Sequence, residues 1–383
     1  MRWKPRKALE ERLSRAVKRS PVTLLAGPRQ CGKTTLARRI AAHTKAVFFD
    51  LEDPEVPLQK ETLGLTLRSL RGLVVIDECQ REPALFPLLR VLADRRPLPA
   101  RFLLLGSASP EVVRHASESL AGRVRHVDMG GFSIDEVTGP ESSRLWRRGG
   151  MPVSFLEPVE QESFRWRLDF IRTHLERDLP SLGIRVPAPA LRRFWMMLAH
   201  LQAQIWNSAD LARSMGTQED TARRYLDILT GSYMIRQLQP WLENVGKRIV
   251  KAPKVYFRDT GLLHALLGLK TERQLLGYSR LGFSWEGFAI EQIIRRFDAD
   301  RESYFYKTHG GAELDLLILS GGRRYGFEIK YADAPSTTRS MHVAIEDLKL
   351  DKLWIVYPGA RAYRLSEKIQ TLPLVDLPSL VLK

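Results

Sequence analysis

Nine consecutive residues near the amino terminus have the types and spacing of a phosphate-binding loop. They read GPRQCGKTT and directly follow the apolar run VTLLA. Glycines at both ends of the turn let successive backbone N–H groups point at phosphate oxygens, and the helix that follows adds the positive end of its dipole. The pattern predicts a nucleotide phosphate site formed by Gly27, Pro28, Arg29, Gln30, Cys31, Gly32, Lys33, Thr34 and Thr35.

Two side chains of this loop have separate chemical roles. Lys33 can reach the β- and γ-phosphates, and the Thr34 hydroxyl can coordinate Mg²⁺. The alternative is a glycine-rich turn with no ligand. The apolar strand before the loop and the helical LARRI after it favour the nucleotide site.

A second apolar run, LVVI, ends in the acid pair Asp77 and Glu78. Continuous apolar runs are typical of parallel strands buried on both faces. Asp77 is predicted to hold Mg²⁺ through water, and Glu78 to polarise the attacking water as general base. An acidic strand end facing solvent is the alternative. Because the chain contains no Asn-Lys-x-Asp motif, ATP is favoured over GTP, and the adjacent acids favour hydrolysis over phosphorylation of a small molecule.

A third apolar run, RFLLL, ends in Gly106 and Ser107. Ser107 is predicted to lie between the two preceding motifs as a polar sensor of the γ-phosphate. An ordinary Gly-Ser turn at the end of a strand explains the same residues nearly as well, so both interpretations stay open.

The carboxy-terminal part carries a second set of ionisable residues. Asp315 lies in an apolar strand, Glu328-x-Lys330 lies on the next strand, and Glu286 lies on a preceding helix. Strand alternation points Glu328 and Lys330 to the same face. Two carboxylates and a lysine that converge in this way can bind Mg²⁺ and orient water for phosphodiester attack, while Glu313 is expected to face away. A non-catalytic, salt-bridged cluster is the alternative.

Residues 207–230 have the pattern of two short helices separated by a turn at Gly216, with Ser208 as the first helix cap. Two strand-like runs follow, which completes the pattern of a winged helix. Arg223 and Arg224 project from the second helix, where such motifs place the residues that contact DNA. The alternative is a module that contacts protein.

Alternating strand and helix signals predict a doubly wound α/β nucleotide-binding core with its ligand at the carboxyl ends of the strands. The predicted divisions are a core at 1–150, a helical lid at 151–205, a winged helix at 206–258 and a further α/β unit at 259–383.

The composition indicates a basic protein with an anionic partner. Lys and Arg number 60 against 44 acids, a net charge of +16 over 383 residues, which is most often associated with nucleic acid. A generally basic surface would give the same excess. Two cysteines make no disulfide framework, and no apolar run approaches the ~20 residues that span a membrane. These features predict a cytoplasmic protein with no membrane partner.

The order of these motifs resembles a family of bacterial and archaeal AAA-type ATPases (the AAA_14/DUF4143 type). In that family an ATPase domain precedes a winged helix and a restriction-endonuclease-like domain. The resemblance covers nearly the whole chain, and its more specific segments are LERDL and YFRDTGLL. It implies that Arg123, in SLAGR, contacts a γ-phosphate, and that the tail is of the PD-(D/E)xK type. It also implies ATP and Mg²⁺ as cofactors.

Together these features predict an ATP-hydrolysing, homo-oligomeric protein that acts on duplex or branched, Holliday-junction-like DNA in repair or recombination. Two alternatives remain. One is an ATP-controlled signalling or defence switch with a protein-binding carboxy-terminal domain, and the other is an ATP-gated, Mg²⁺-dependent nuclease.

Overall fold

The computed structural model describes residues 4–53, 55, 62–107, 118–242 and 249–382. The chain divides into two compact units. The first unit is Met1–Gly131 with Gly231–Tyr233, and the second unit is Phe132–Thr230 with Met234–Lys383.

The first unit is an α/β layer structure. Its elements are α1 (Lys7–Arg19), β1 (Val22–Gly27), α2 (Lys33–Ala42), β2 (Ala46–Asp50), α3 (Leu63–Ser69), β3 (Gly72–Asp77), α4 (Leu85–Ala93), β4 (Ala100–Ser107) and β5 (Val124–Asp128).

All five strands of the first unit are parallel and lie in the order β2-β3-β4-β1-β5. Every residue of the interior strand β1 is buried, as its largely apolar sequence predicts. The predicted parallel α/β core is confirmed. Because the strands are parallel, their carboxyl ends share one edge of the sheet, and the GPRQCGKTT loop and the Asp77–Glu78 pair both follow strands at that edge.

The second unit begins with helices and contains a small sheet. Its first elements are α5 (Ser142–Arg148), α6 (Pro152–Leu156), α7 (Glu160–Thr173), a π-helical turn (His174–Asp178), α8 (Leu179–Ser181), α9 (Ala188–His200), β6 (Gln204–Ile205), α10 (Ser208–Met215), α11 (Glu219–Gly231), β7 (Ile235–Leu238) and β8 (Lys254–Phe257). The three strands are antiparallel in the order β6-β8-β7. The predicted pair of helices is confirmed, but Ser208 is not the cap of α10. The Asn207 side chain caps α10 instead, since it accepts hydrogen bonds from the N–H groups of Ala209 and Asp210.

The rest of the second unit surrounds one long buried helix. Its elements are α12 (Thr260–Leu266), α13 (Glu272–Leu276), α14 (Leu281–Phe297), β9 (Ser303–Lys307), β10 (Glu313–Ser320), β11 (Arg323–Ile329), α15 (Arg339–Leu348), β12 (Lys352–Tyr357) and β13 (Ile369–Pro373). The strands form a mixed sheet in the order β13-β12-β11-β10-β9, antiparallel from β9 to β11 and parallel from β11 to β13. Residues 284–294 of α14 are all buried, so the two glutamates in that stretch must be paired.

The YFRDTGLL segment has a packing explanation. Asp259 caps α12 by accepting from the N–H of Leu262, and it also accepts from the N–H of Gly150. A Cβ atom at Gly261 would lie 2.1 Å from the carbonyl oxygen of Arg148, so no larger residue fits there. This segment therefore joins α12 to the end of α5.

No helix in the described part of the chain is long and apolar enough to cross a membrane.

Candidate nucleotide site and carboxylate cluster

The phosphate-binding loop connects β1 to α2, and glycine is required at both of its ends. Gly32 has φ of 99°, a left-handed conformation that favours glycine. A Cβ atom at Gly27 would lie 2.0 Å from the carbonyl oxygen of Met129, because the chain after β5 passes directly against the loop. The loop is thus shaped by its own glycines and by its neighbour in the fold.

The Lys33 side chain is buried and folds back onto the loop. Its Nζ donates to the carbonyl oxygens of Gly27 at 2.9 Å and Pro28 at 2.8 Å. These are the contacts that a bound triphosphate would replace, because phosphate oxygens are stronger partners for an ammonium than carbonyl oxygens are.

Asp77 and Thr34 lie together, as the motif predicts. The Thr34 hydroxyl donates to Asp77 Oδ2 at 2.7 Å, and the N–H of Glu78 donates to Asp77 Oδ1 at 2.9 Å. Burial raises the pKa of Asp77, against the opposing effect of these two hydrogen bonds. A hydroxyl and a buried carboxylate are suitable oxygen donors for Mg²⁺, so this pair fits the ion that the loop implies.

The backbone of Glu78 is not in an extended conformation. Its φ and ψ of 51° and 43° lie in the left-handed region, which is uncommon for a residue with a side chain. Its Oε2 accepts a hydrogen bond from the side-chain amide of Gln80. The predicted base therefore has a polar partner two residues along the chain, which the motif did not reveal.

Arg6 is a second residue that the sequence did not indicate. Its buried guanidinium donates to the carbonyl oxygens of Cys31 at 3.3 Å, Gly130 at 3.1 Å and Gly131 at 2.8 Å. Arg6 thus ties the phosphate loop to the segment that follows β5. A single arginine in a basic stretch carries no signal of such a role.

The remaining loop residues differ in their exposure to solvent. Pro28 and Cys31 are buried, and Cys79 behind the acid pair is buried as well, its thiol pKa raised by that burial. Gln30 and Thr35 are exposed, and Arg29 lies 3.5 Å from Glu52.

Ser107 ends β4, and its side chain lies outside the described residues. Arg123 precedes β5 and forms two short contacts with the Asp94 carboxylate, at 2.7 and 2.8 Å. Val124 pairs with Val22 at the start of β1, whereas the phosphate loop follows the end of that strand. Arg123 is therefore at the edge of the sheet opposite the loop, about 16 Å away along the strand.

The carboxylate cluster of the second unit consists of Glu286, Glu313, Asp315 and Glu328. The structure brings together the predicted Glu286, Asp315, Glu328 and Lys330, and Lys330 Nζ donates to Glu328 Oε1 at 2.7 Å. The expectation for Glu313 is wrong. Its Oε2 accepts from Lys307 at 2.7 Å and its Oε1 lies 2.7 Å from Lys254, because the first residue of β10 points into the cluster.

Lys254, at the start of β8, is the residue that sequence reasoning missed here. Its Nζ lies 2.7 Å from Glu313, 3.2 Å from Glu286 and 3.7 Å from Asp315. No group of three or more His, Cys, Asp or Glu side chains among the described residues is arranged to hold a metal ion. An ammonium group in contact with three carboxylates does not fit the divalent metal that a nuclease-like tail implies.

On α11, Arg223 and Arg224 are both exposed. Arg223 is in contact with acids of its own helix, at 3.3 Å from Glu219 and 3.9 Å from Asp220. Two acids thus lie in the first turn of the helix that is predicted to contact DNA.

Three family models match successive parts of the chain. Residues 19–138 match an AAA domain, residues 140–273 a domain of unknown function (DUF8612), and residues 281–377 another domain of unknown function (DUF4143). The chain is also 49% identical over 362 residues to the uncharacterized proteins Rv2008c of Mycobacterium tuberculosis and Mb2031c of Mycobacterium bovis. The aligned part is 94% of this chain and 82% of each relative. The chain belongs to their family.

The AAA match covers both the phosphate loop and the Asp77–Glu78 pair, so the first unit is an AAA-type P-loop ATPase domain. Among solved structures, the chain is similar to the Walker-type ATPase PABY2304 of Pyrococcus abyssi. The TM-score is 0.49 and the identity 17%, over 69% of this chain and 96% of that one.

Proposed function

We propose that this protein of the AAA ATPase type hydrolyses ATP and couples that hydrolysis to DNA binding. The observation that carries the hydrolytic part is the Thr34–Asp77 contact beside the phosphate loop, with Glu78 next in the chain. The DNA-binding part is supported by the net charge of +16.

The hydrolytic residues have defined tasks in this proposal. Lys33 exchanges the carbonyl oxygens of Gly27 and Pro28 for phosphate oxygens, and Thr34 with Asp77 would hold Mg²⁺, which supplies charge neutralisation on the phosphates. Glu78 leaves the Gln80 amide and accepts a proton from the attacking water. Glu78, the proposed base, therefore stays hydrogen-bonded to Gln80 until ATP binds.

Arg123 is proposed to contact the γ-phosphate of ATP bound to another copy of the chain. Its distance along β1 from its own phosphate loop rules out that contact within one chain. An oligomer is then required for full activity, and the Asp94 pair holds the guanidinium until a second copy docks.

The DNA contact is proposed for the second unit. The helices α9, α10 and α11 with the antiparallel sheet β6-β8-β7 have the order typical of a winged helix, and Arg224 is exposed on α11. The first unit offers a competing surface. Two adjoining grooves of about 620 and 570 Å³ lie at the edge opposite the phosphate loop and are lined by Lys18, Arg19, Arg39, Lys45, Arg96, Arg101 and Arg123.

The test is steady-state ATPase activity with duplex, single-stranded and four-way junction DNA in parallel, with Lys33→Ala as the variant lacking phosphate binding. We expect DNA to raise turnover, with the effect declining steeply with salt because phosphate contacts release counterions. The double variant Arg223→Ala, Arg224→Ala should lose most of this stimulation.

A matched control removes two other exposed, ion-paired arginines, Arg165 and Arg172 of α7, and should behave as the wild type. DNA affinity that survives in the folded Arg223/Arg224 variant but falls in Arg19→Ala, Arg101→Ala would place the contact in the grooves of the first unit.

A second candidate function is an ATP-controlled switch whose second unit binds a protein. The specific observation in its favour is the ion pairing of Arg223 with Glu219, which leaves the start of α11 acidic and unfavourable for phosphate. ATP turnover that no DNA changes at any salt concentration would favour this candidate.

A further inference from the structure

We propose that Lys254 is the resident cation of the carboxylate cluster and that it excludes divalent metal ions from the wild-type protein. The carboxy-terminal strands and helix would then have a nuclease-like arrangement in which lysines, and not a metal ion, neutralise the carboxylates.

Lys254 is fixed in place by its strand. It lies on β8, the central strand of the small sheet, where it pairs with Ile205 on one side and Leu238 on the other. Its side chain is buried, with Nζ also 5.8 Å from the centre of the Phe305 ring. Burial alone would lower the pKa of Lys254, but the surrounding carboxyl groups of Glu286, Asp315 and Glu313 raise it well above its usual range, so the ammonium stays charged.

Glu286, Asp315 and Glu313 each have at least one carboxylate oxygen that already accepts from a protein donor. Glu286 Oε1 accepts from the Tyr256 hydroxyl at 2.6 Å as well as from Lys254, and Asp315 Oδ2 accepts from the N–H of Ile329 at 2.9 Å. Both oxygens of Glu313 are taken by lysines. A metal ion would have to compete with protein donors at each of these three groups.

Glu328 completes the balance of charge. Within the described residues its Oε2 is buried and has no hydrogen-bond partner, while Oε1 accepts from Lys330. Burial, followed by the charge of Asp315, raises the pKa of Glu328 to about 8, and burial also raises the pKa of Glu286, to about 7. Four carboxyl groups, two of them with raised pKa values, thus face three lysines, Lys254, Lys307 and Lys330.

This balance explains why a divalent ion is excluded. Hard cations prefer carboxylate oxygens, so the residue types alone would suit Mg²⁺ or Mn²⁺. An ammonium held in the same buried space repels a second cation strongly, because charges interact at close range and with little solvent screening.

The experiment is a titration of the nucleotide-free full chain with Mn²⁺, in which electron paramagnetic resonance measures the free ion. We expect no Mn²⁺ at the cluster in the wild type, and the same for Lys254→Arg. Lys254→Met keeps the length of the side chain without its charge and should gain one Mn²⁺ site per chain, which Asp315→Asn in the same background should abolish. Lys307→Met is the matched control, since it removes the half-buried lysine on the outer oxygen of Glu313, and it should gain no site.

The wild-type titration decides the case even where Lys254→Met fails to fold. Mn²⁺ bound by the wild type and lost in Asp315→Asn would overturn the proposal, as would a folded Lys254→Met protein that binds none. The double variant Lys254→Met, Glu313→Gln removes one charge of each sign and provides a second chance of a folded protein. Because the titration contains neither ATP nor DNA, its outcome is independent of the proposed function.

Discussion

At the scale of single residues, the two groups that are proposed to act on ATP both have hydrogen-bond partners within the chain. Lys33 is bound to carbonyl oxygens of its own loop, and Glu78 is bound to Gln80. In the proposed mechanism, ATP binding would therefore require two exchanges of hydrogen-bond partner.

Glu78→Gln is expected to keep ATP affinity within about twofold and to slow hydrolysis by ~10²-fold or more, the usual scale for loss of a general base. The measurement is single-turnover hydrolysis beside equilibrium binding of a fluorescent ATP analogue. Glu82→Gln, four residues beyond Glu78, is the control and should turn over normally. Unchanged turnover in Glu78→Gln would remove this residue from the mechanism.

Arg6→Ala is expected to raise the Kd for ATP by about tenfold, which corresponds to ~1.4 kcal/mol. The physical reason is the loss of three charge-assisted contacts that hold the loop carbonyl of Cys31 to Gly130 and Gly131. Isothermal titration with ATP measures the effect, and Arg6→Lys should recover part of it. Lys7→Ala, at the exposed neighbouring position, should bind as the wild type does. Equal affinity in Arg6→Ala would mean that the loop holds its shape without this clamp.

At the scale of secondary structure, site residues that follow a strand or motif pattern could be predicted, and residues that only tertiary packing brings to a site could not. The loop and the acid pair each follow a strand of a parallel sheet, so one sheet edge brings them together. Lys254 belongs to a hairpin that the sequence assigns to the winged helix, and only tertiary packing brings it to Asp315. The strands β12 and β13 and the helix α15 were likewise absent from the sequence prediction, although they complete the mixed sheet.

The stability of the second unit is expected to fall as the pH rises from about 5 to 9. The carboxyl pKa of Glu328 is raised to about 8 in the folded state from its usual value near 4.5, so between these values the folded protein holds a proton that the unfolded chain releases. Its contribution is fully present below pH 4.5 and is lost as the pH passes 8. Urea unfolding followed by the fluorescence of the tryptophans measures the slope, and Glu328→Gln, which mimics the protonated form, should flatten it. A slope that is the same in both proteins would contradict a protonated Glu328.

At the scale of the whole molecule, two units with different chemistry share one chain. The first unit is an AAA-type P-loop ATPase domain that contains the phosphate loop and the Asp77–Glu78 pair. The second unit contains a buried cluster of carboxylates with the Lys254 ammonium among them.

DNA cleavage tests this division. In a Mn²⁺ nicking assay on supercoiled, single-stranded and four-way junction DNA, we expect no cleavage by the wild type or by Asp315→Ala. The physical reason is the proposed role of Lys254, whose ammonium contacts Glu313 and Asp315 and would repel a catalytic metal ion. Cleavage by the wild type that disappears in Asp315→Ala would show a working nuclease, while equal cleavage by both would indicate a contaminating enzyme.

Because both cysteines are buried, the rates of their chemical modification can report when the nucleotide site opens. Cys31 and Cys79 are the only thiols in the sequence, and both are inaccessible, one within the phosphate loop and one directly behind Glu78. A small alkylating reagent can reach these thiols only when the phosphate loop or the turn after β3 opens. The rate of their modification in native buffer is therefore set by how often this local opening occurs and not by the reactivity of the thiol. ATP should slow the labelling of Cys31 more than that of Cys79, because the triphosphate closes the loop around the first thiol. Peptide mass spectrometry after timed quenching would resolve the two rates without any engineered label.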